Sequence, residues 1–512
     1  MPSVPPSLHP EAPPVASTGV EGLDAILHGG LPREEMHLIQ GTAGTGKSTL
    51  ALCFLRAGAK AGEASLYLTL SQSAAHLERI ARSHGWSLAG VTVHELSPRT
   101  VAERIAARQT ILPTADVELG ELFQDLADLV EQTRPRRAVI DSLSVLRLLA
   151  GGPQRYHREV VTLRQLFTER KCTLLTIADY PAEGEGGSLP EVDFHPLCGC
   201  VIDLKQEPRA FGDVRRRLRI VKARGLASNG GTHDYKIATG RMDVYPRLGA
   251  YNRPEYSEYE MIATDVASLD EVLGGGLERG TACLLVGPTG AGKSTVAALY
   301  ADAAARRGGS AAVFLFDERP ETFKSRTESF GMHVNAHIEA GRMSVQQLDS
   351  GEIAPGEFAQ QIREMVETRK TQVVVIDSIA GYFAAMGSQD VLVSQLHELL
   401  TYLSRSGVLT MLIGSQEGLT SIGQAPGPDV SYLSDSIVVL GFYEIRGKIH
   451  RSFAAVKKRN GRHATEIHEL IFAGGSLAEG SIRLQGPLRG LQRILLDNPA
   501  PACARKEEDD GE

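Results

Sequence analysis

Two stretches of this chain carry residue types and spacings that suit one chemistry, the gripping of a polyphosphate. Gly41-Thr42-Ala43-Gly44-Thr45-Gly46-Lys47-Ser48-Thr49 and Gly287-Pro288-Thr289-Gly290-Ala291-Gly292-Lys293-Ser294-Thr295 both satisfy the G-x-x-x-x-G-K-[ST] pattern. Glycines allow consecutive backbone N–H groups to turn inward on phosphate oxygens, and the helix that follows adds the positive end of its dipole. Lys47 and Lys293 supply point charges, and the hydroxyls of Ser48 and Ser294 are placed to ligate Mg²⁺ beside bound ATP. Each loop follows a short apolar run, Met36 to Ile39 or Ala282 to Val286, and precedes an apolar-periodic stretch. That is the strand, loop, helix context the motif requires.

Further along each half an apolar, β-branched run ends in aspartate, Ala138 to Asp141 and Val373 to Asp377. Such runs suit central parallel strands buried on both faces. An Asp at the carboxyl end of such a strand points into the Mg²⁺ shell of a nucleotide, so Asp141 and Asp377 join the two serines as expected metal ligands. Near the end of each half, Lys222 with Arg224 and Lys457 with Arg459 follow strand-like runs and open turn-like stretches. The alternative for a lone Lys-x-Arg is a solvated basic turn. Repetition favours cations that reach a phosphate, and one subunit's cations reaching its neighbour's nucleotide implies a ring.

The elements that position these residues are themselves repeated. Thr18 to Asp24 with Gly29-Gly30-Leu31 recurs as Thr264 to Asp270 with Gly275-Gly276-Leu277, and both this lead-in and the phosphate loop are displaced by 246 positions. A shared displacement across separate motifs means duplication. The expected architecture is α/β, two tandem units each with a mostly parallel sheet flanked by helices and the ligand at the carboxyl ends of the strands. The expected boundaries are a Pro-rich disordered arm (1–16), a first domain (17–249), a polar linker (250–262), a second domain (263–484) and a charged tail (485–512) that begins with a possible short helix over 486–496.

Composition limits the alternatives. The 512 residues include 54 Lys and Arg against 62 Asp and Glu, a formal charge of -8, so no global basic field would draw in nucleic acid or an anionic membrane. No apolar run is long enough to span a bilayer and no secretory leader is evident, which points to a cytoplasmic location. Six cysteines in so long a chain make no disulfide framework, and Cys198-Gly-Cys200 reads as buried thiols, since no second pair completes a metal site.

At this point the residues resemble a known family. The duplicated halves, the Leu-Asp…Gly-Gly-Leu lead-in, Ala81-Arg82-Ser83-His84-Gly85-Trp86, Glu444-Ile445-Arg446-Gly447 and the Lys-x-Arg pairs look like KaiC, a hexameric ATPase and autokinase of bacterial clock systems. The resemblance implies tandem RecA-like P-loop ATPase domains, ATP and Mg²⁺ bound between subunits of a homohexamer, and a small clock-type partner protein or signalling kinase as partner. It also implies that two adjacent acidic residues after the strand that follows the phosphate-loop helix act on the attacking water or the acceptor hydroxyl. Asp317 and Glu318 stand there in the second half, with Glu318 the expected base, whereas the first half has Ser71 and Gln72. Neither Ser nor Gln serves as a base near neutral pH, so the first site is expected to bind ATP better than it hydrolyses it. The family's Ser-Thr phosphorylation pair becomes Ser431-Tyr432, which leaves Ser431 as the candidate phosphoacceptor. Two other readings share these motifs: a RecA/RadA-type enzyme acting on DNA, disfavoured by the acidic balance, and a nucleotide-gated scaffold with little turnover.

Overall fold

The computed structural model describes residues 14–96, 114–180, 190–208, 212–250, 256–349, 351–386, 389–415, 430–477, 480–489, 491–492 and 500–501. The chain packs as two units, Met1–Ala250 and Tyr251–Glu512.

In the first unit the major strands are β1 (Met36–Gly41), β2 (Ser65–Thr69), β3 (Val91–Glu95), β4 (Arg137–Asp141), β5 (Thr173–Asp179), β6 (Cys200–Glu207), β7 (Arg215–Ala223), β8 (Thr232–Ala238) and β9 (Arg241–Tyr245). They form one sheet in the order β9-β8-β7-β6-β1-β5-β4-β2-β3. The pairs from β6 to β3 are parallel, and β6 through β9 pair antiparallel. The second unit repeats this with β10 (Ala282–Gly287), β11 (Ser310–Leu315), β12 (Met343–Gln347), β13 (Thr371–Asp377), β14 (Leu409–Ser415), β15 (Ser436–Ile445), β16 (Lys448–Lys458), β17 (His468–Phe472) and β18 (Ile482–Gln485). Its order, β18-β17-β16-β15-β10-β14-β13-β11-β12, is the same. The phosphate-loop strand is thus central in both, and one strand, β5 or β14, separates it from the strand that ends in Asp141 or Asp377.

The period-2 alternation of strand side chains builds a core on each face of the first sheet. Tyr67, Val139, Leu175 and Ile202 pack with the helix α1 (Lys47–Lys60) through Leu50, Phe54 and their neighbours. Leu66, Leu68, Ala138, Ile140 and Leu174 face the other way, onto Tyr156, Val160, Leu163 and Phe167 of the helix Pro153–Thr168. In the second unit the matching helix α2 (Lys293–Arg306) buries an alanine-rich stretch, from Ala297 to Ala305, against the sheet. Burial on both faces explains why these strands read as continuous apolar runs.

Three details differ from the sequence reading. Val15–Ala16 lies inside the expected disordered arm yet forms a short strand, with Val15 opposite Pro32 and Ala16 opposite Leu31. Leu491–Gln492 lies in the expected short helix and instead pairs antiparallel with Ala500–Pro501. Each stretch finds a ladder partner further along the chain, which the composition of the stretch itself does not reveal. Lys222 and Lys457 sit within β7 and β16 rather than opening turns. The first 13 residues and the charged end of the tail lie outside the described residues.

Candidate active sites

Each phosphate loop owes its shape to glycines that nothing else could replace. Gly46 and Gly292 precede the first residue of α1 and α2 with φ of 90° and 106°, a conformation L side chains rarely adopt. At the strand end a Cβ on Gly41 would stand 2.3 Å from the Leu204 carbonyl oxygen, and one on Gly287 would stand 2.1 Å from that of Leu440. The loop therefore closes only because β1 and β10 end in glycine against a neighbouring strand.

Within each loop the lysine folds back. Lys47 Nζ donates to the carbonyls of Gly41 (2.9 Å) and Thr42 (2.7 Å), and Lys293 Nζ donates to those of Gly287 (2.7 Å) and Pro288 (2.8 Å). The loops differ in what supports them. In the first, Thr45 Oγ1 donates to the Thr42 carbonyl, Tyr235 donates to the Thr45 carbonyl, and Gln206 Nε2 donates to that of Ala43. In the second, Arg451 Nε donates to the Gly290 carbonyl and its guanidinium lies over the rings of Phe442 and Phe472.

Ser48 Oγ donates to Asp141 Oδ2 at 2.9 Å, and the Tyr67 hydroxyl donates to the same oxygen at 2.6 Å. Ser294 likewise hydrogen-bonds Asp377. Burial pushes both carboxyls above the usual carboxylate range, against the hydrogen bonds that favour their charge. A buried carboxylate beside a hydroxyl is a hard-oxygen pair of the kind that shares Mg²⁺ with nucleotide phosphates, and the donor set fits that ion. Among the described residues no group of three or more His, Cys, Asp or Glu could hold a metal unaided. Cys198 and Cys200 are buried, and burial pushes both thiols up to about 12, as expected of structural cysteines.

Backbone geometry confirms that Ser71-Gln72 and Asp317-Glu318 occupy matching places. The N–H of Leu70 donates to the Asp141 carbonyl and that of Phe316 to the Asp377 carbonyl, both at 2.7 Å. In the first half this turn is held by its own hydroxyl, with Thr69 Oγ1 donating to the Gln72 carbonyl. In the second half Asp317 Oδ2 accepts from Ser378 Oγ at 2.7 Å, while Glu318 is gripped by both terminal nitrogens of Arg326 at 2.7 and 2.9 Å. Burial raises the Glu318 carboxyl above its ordinary value, opposed by Arg326 and reinforced by the charge of Asp377.

The strand register separates a second group from these sites. Lys222 lies opposite Val201, which lies opposite Leu38, three residues before the end of β1 at Gly41. Lys457 lies opposite Ile437, which pairs with Leu284, three residues before Gly287. The basic pairs are thus at the amino end of the sheet, away from their own loops. There Lys222 Nζ and Arg224 donate to the Pro196 carbonyl, Lys457 Nζ donates to those of Ser431 (3.3 Å) and Ser434 (2.8 Å), and Arg459 pairs with Asp435 at 3.2 Å. Ser431 shares this edge, because the N–H of Asp435 bonds to the carbonyl of Ala282, the first residue of β10. From Ala282 to Gly287 is five strand steps, roughly 16 Å.

One residue the sequence reading did not single out belongs to the first site. Asp179 ends β5, opposite Gly41, and its Oδ1 lies 2.8 Å from Lys47 Nζ. The matching position of the second half, opposite Gly287, is Ser415. A carboxylate at the end of the strand between the two motif-bearing strands was available as a signal, but only once the strand order is known.

Two phosphate loops, each facing a strand-end aspartate across the carboxyl edge of a largely parallel sheet, define a tandem RecA-like P-loop ATPase. More particularly, the chain belongs to the KaiC ATPase family: the family model described as "ATPase: KaiC" matches residues 16–249 and 262–477. The chain is 24% identical over 501 residues to the circadian clock oscillator protein KaiC of Parathermosynechococcus lividus, covering 95% of this chain and 88% of that protein. It is 26% identical over 506 residues to the circadian clock protein KaiC2 of Synechocystis sp., covering 96% and 86%. The protein is therefore a KaiC-family ATPase with duplicated ATP-binding domains. No helix among the described residues is long and apolar enough to cross a membrane.

Proposed function

We propose that this ATPase works as an ATP- and Mg²⁺-dependent homohexameric ring, that its second half transfers the terminal phosphoryl group to water or to Ser431, and that this activity serves a clock-type or related signalling pathway. The observation that supports it is the placement of Lys457, Arg459 and Ser431 at the end of the sheet opposite their own phosphate loop. A serine roughly 16 Å along the strand direction from its own loop cannot take a phosphoryl group directly from it, so the donor is a neighbour's nucleotide. Lys457 and Arg459 then stand beside the acceptor as counter-charges for the transferring group. At the donor site Lys293 would hold the phosphates, and Ser294 with Asp377 would hold Mg²⁺, which would supply positive charge against them. Glu318, raised by burial, receives the proton of the attacking hydroxyl or water.

Mixing protomers tests this. Lys293→Ala chains cannot donate and Ser431→Ala chains cannot accept. The expected result is that neither carries phosphate on Ser431 alone, and that mixing them with ATP labels Ser431 of the Lys293→Ala chains, read by mass spectrometry. No label on any Ser431, in wild-type or mixed rings, would leave an ATPase without kinase activity.

A further inference from the structure

The first site lacks the acidic pair, yet the fold returns a carboxylate to it. We propose that Asp179 is the general base of the first nucleotide site, the group that takes the proton of the attacking water, so that the first half hydrolyses ATP with a residue the second half does not have. β5 lies between β1, which ends at the phosphate loop, and β4, which ends at Asp141. Its last residue therefore emerges between the phosphate lysine and the expected Mg²⁺ ligand. Asp179 Oδ1 is 2.8 Å from Lys47 Nζ, and its charge is felt at Asp141.

The backbone there is tied on both sides. The Asp179 N–H donates to Ser144 Oγ at 3.2 Å, and the N–H of Tyr180 donates to the Gly41 carbonyl at 3.2 Å. The carboxylate is held while its side chain stays 46% exposed and open to water. Three other acids of the sheet are already committed: Glu207 pairs with Arg217 at 2.7 Å, Asp203 accepts from Tyr180, and Glu95 accepts from the Ala74 N–H. Ser71 and Gln72 offer no proton acceptor, although Gln72 can orient a water.

The step balances as follows. A triphosphate draws Lys47 onto its own oxygens and frees Asp179 from that ion pair. The water oxygen forms a bond to the terminal phosphorus, and the bond from that phosphorus to the bridging oxygen breaks with its electron pair leaving on ADP. The water proton passes to the Asp179 carboxylate and then to solvent, giving ADP, inorganic phosphate and one proton.

This inference rests on the ATP-binding reading of the first site and not on kinase activity. Full-length Lys293→Ala protein isolates the first site, with turnover read as release of inorganic phosphate and binding as fluorescence of an N-methylanthraniloyl ATP. The expected result is measurable residual turnover that Asp179→Asn lowers by about 100-fold or more while the analogue still binds, and that Asp179→Glu partly restores. An inert Lys293→Ala protein whose first site still binds the analogue would overturn the inference. So would Asp179→Asn turning over at the parental rate, which would make the carboxylate a mere latch on Lys47, or losing the analogue altogether. Absence of turnover in the wild-type protein would count against the proposed function as a whole.

Discussion

The ion pair between Glu318 and Arg326 bears on the base proposed for the second site. Arg326 opposes the rise that burial imposes on the Glu318 carboxyl. Glu318→Gln removes the proposed base, so phosphoryl transfer at the second site is expected to fall by about 10²–10⁴-fold with ATP binding retained, measured by single-turnover kinetics in an Asp179→Asn background. Arg326→Met removes the opposing charge and the two hydrogen bonds it donates to Glu318. The Glu318 carboxyl then rises further, so the acid limb of the rate profile is expected to move to higher pH, because the base must be ionised to act. His37 is a second residue whose ionisation matters. The ring is fully enclosed in β1, with Nε2 donating to the Pro32 carbonyl and Nδ1 accepting from the Cys200 N–H. Burial lowers its pKa from 6.5 to about 4. As pH falls below 6.5 the unfolded chain takes up a proton that the folded ring refuses, so the first unit loses stability down to pH 4 and levels off below. The full loss is roughly 3 kcal/mol, and His37→Gln is expected to flatten that part of a pH series of denaturant melts.

The element that decides each site is the strand, loop and helix around a phosphate. β10 must end in glycine because the β15 backbone passes against it, with Leu440 oxygen where a Cβ would be. Gly287→Ala is therefore expected to cost the second unit on the order of 2 kcal/mol and to abolish nucleotide binding there while the first site keeps its own. Thermal melts with and without ATP check this, since a distorted second loop loses its share of ligand stabilisation. The matching substitution Gly41→Ala meets the Leu204 carbonyl and is expected to do the same to the first site.

For the whole molecule, the proposed assembly rests on cations placed at the edge of the sheet away from their own phosphate loops. Lys222, Arg224, Lys457 and Arg459 lie at the amino edges of their sheets, so ATP with Mg²⁺ is expected to drive hexamer formation by binding the assembled state preferentially. Light scattering that found a monomer at saturating ATP would exclude the ring. Lys47→Ala is expected to weaken assembly and remove first-site turnover, whereas Lys293→Ala is expected to leave the ring intact and remove turnover at the second site. Native mass spectrometry beside phosphate release separates the two.

What the sequence by itself determined is whatever a short run can encode. Glycine spacing fixes the loop conformation residue by residue, β-branched runs announce strands buried on both faces, and the constant displacement of 246 positions declares two copies of one fold. The tandem α/β architecture and the pairing of Ser48 with Asp141 and of Ser294 with Asp377 were legible for that reason. Only the tertiary structure decided which side chains share a site across strands. Asp179 meets Lys47 because β5 is inserted between β1 and β4, an order that β5's own residues do not state. The basic pairs face away from their own loops because β7 and β16 run antiparallel to the strands beside them, which turns their carboxyl ends toward the opposite edge. Strand order and direction arise from packing between segments remote in the chain, and no local pattern carries them.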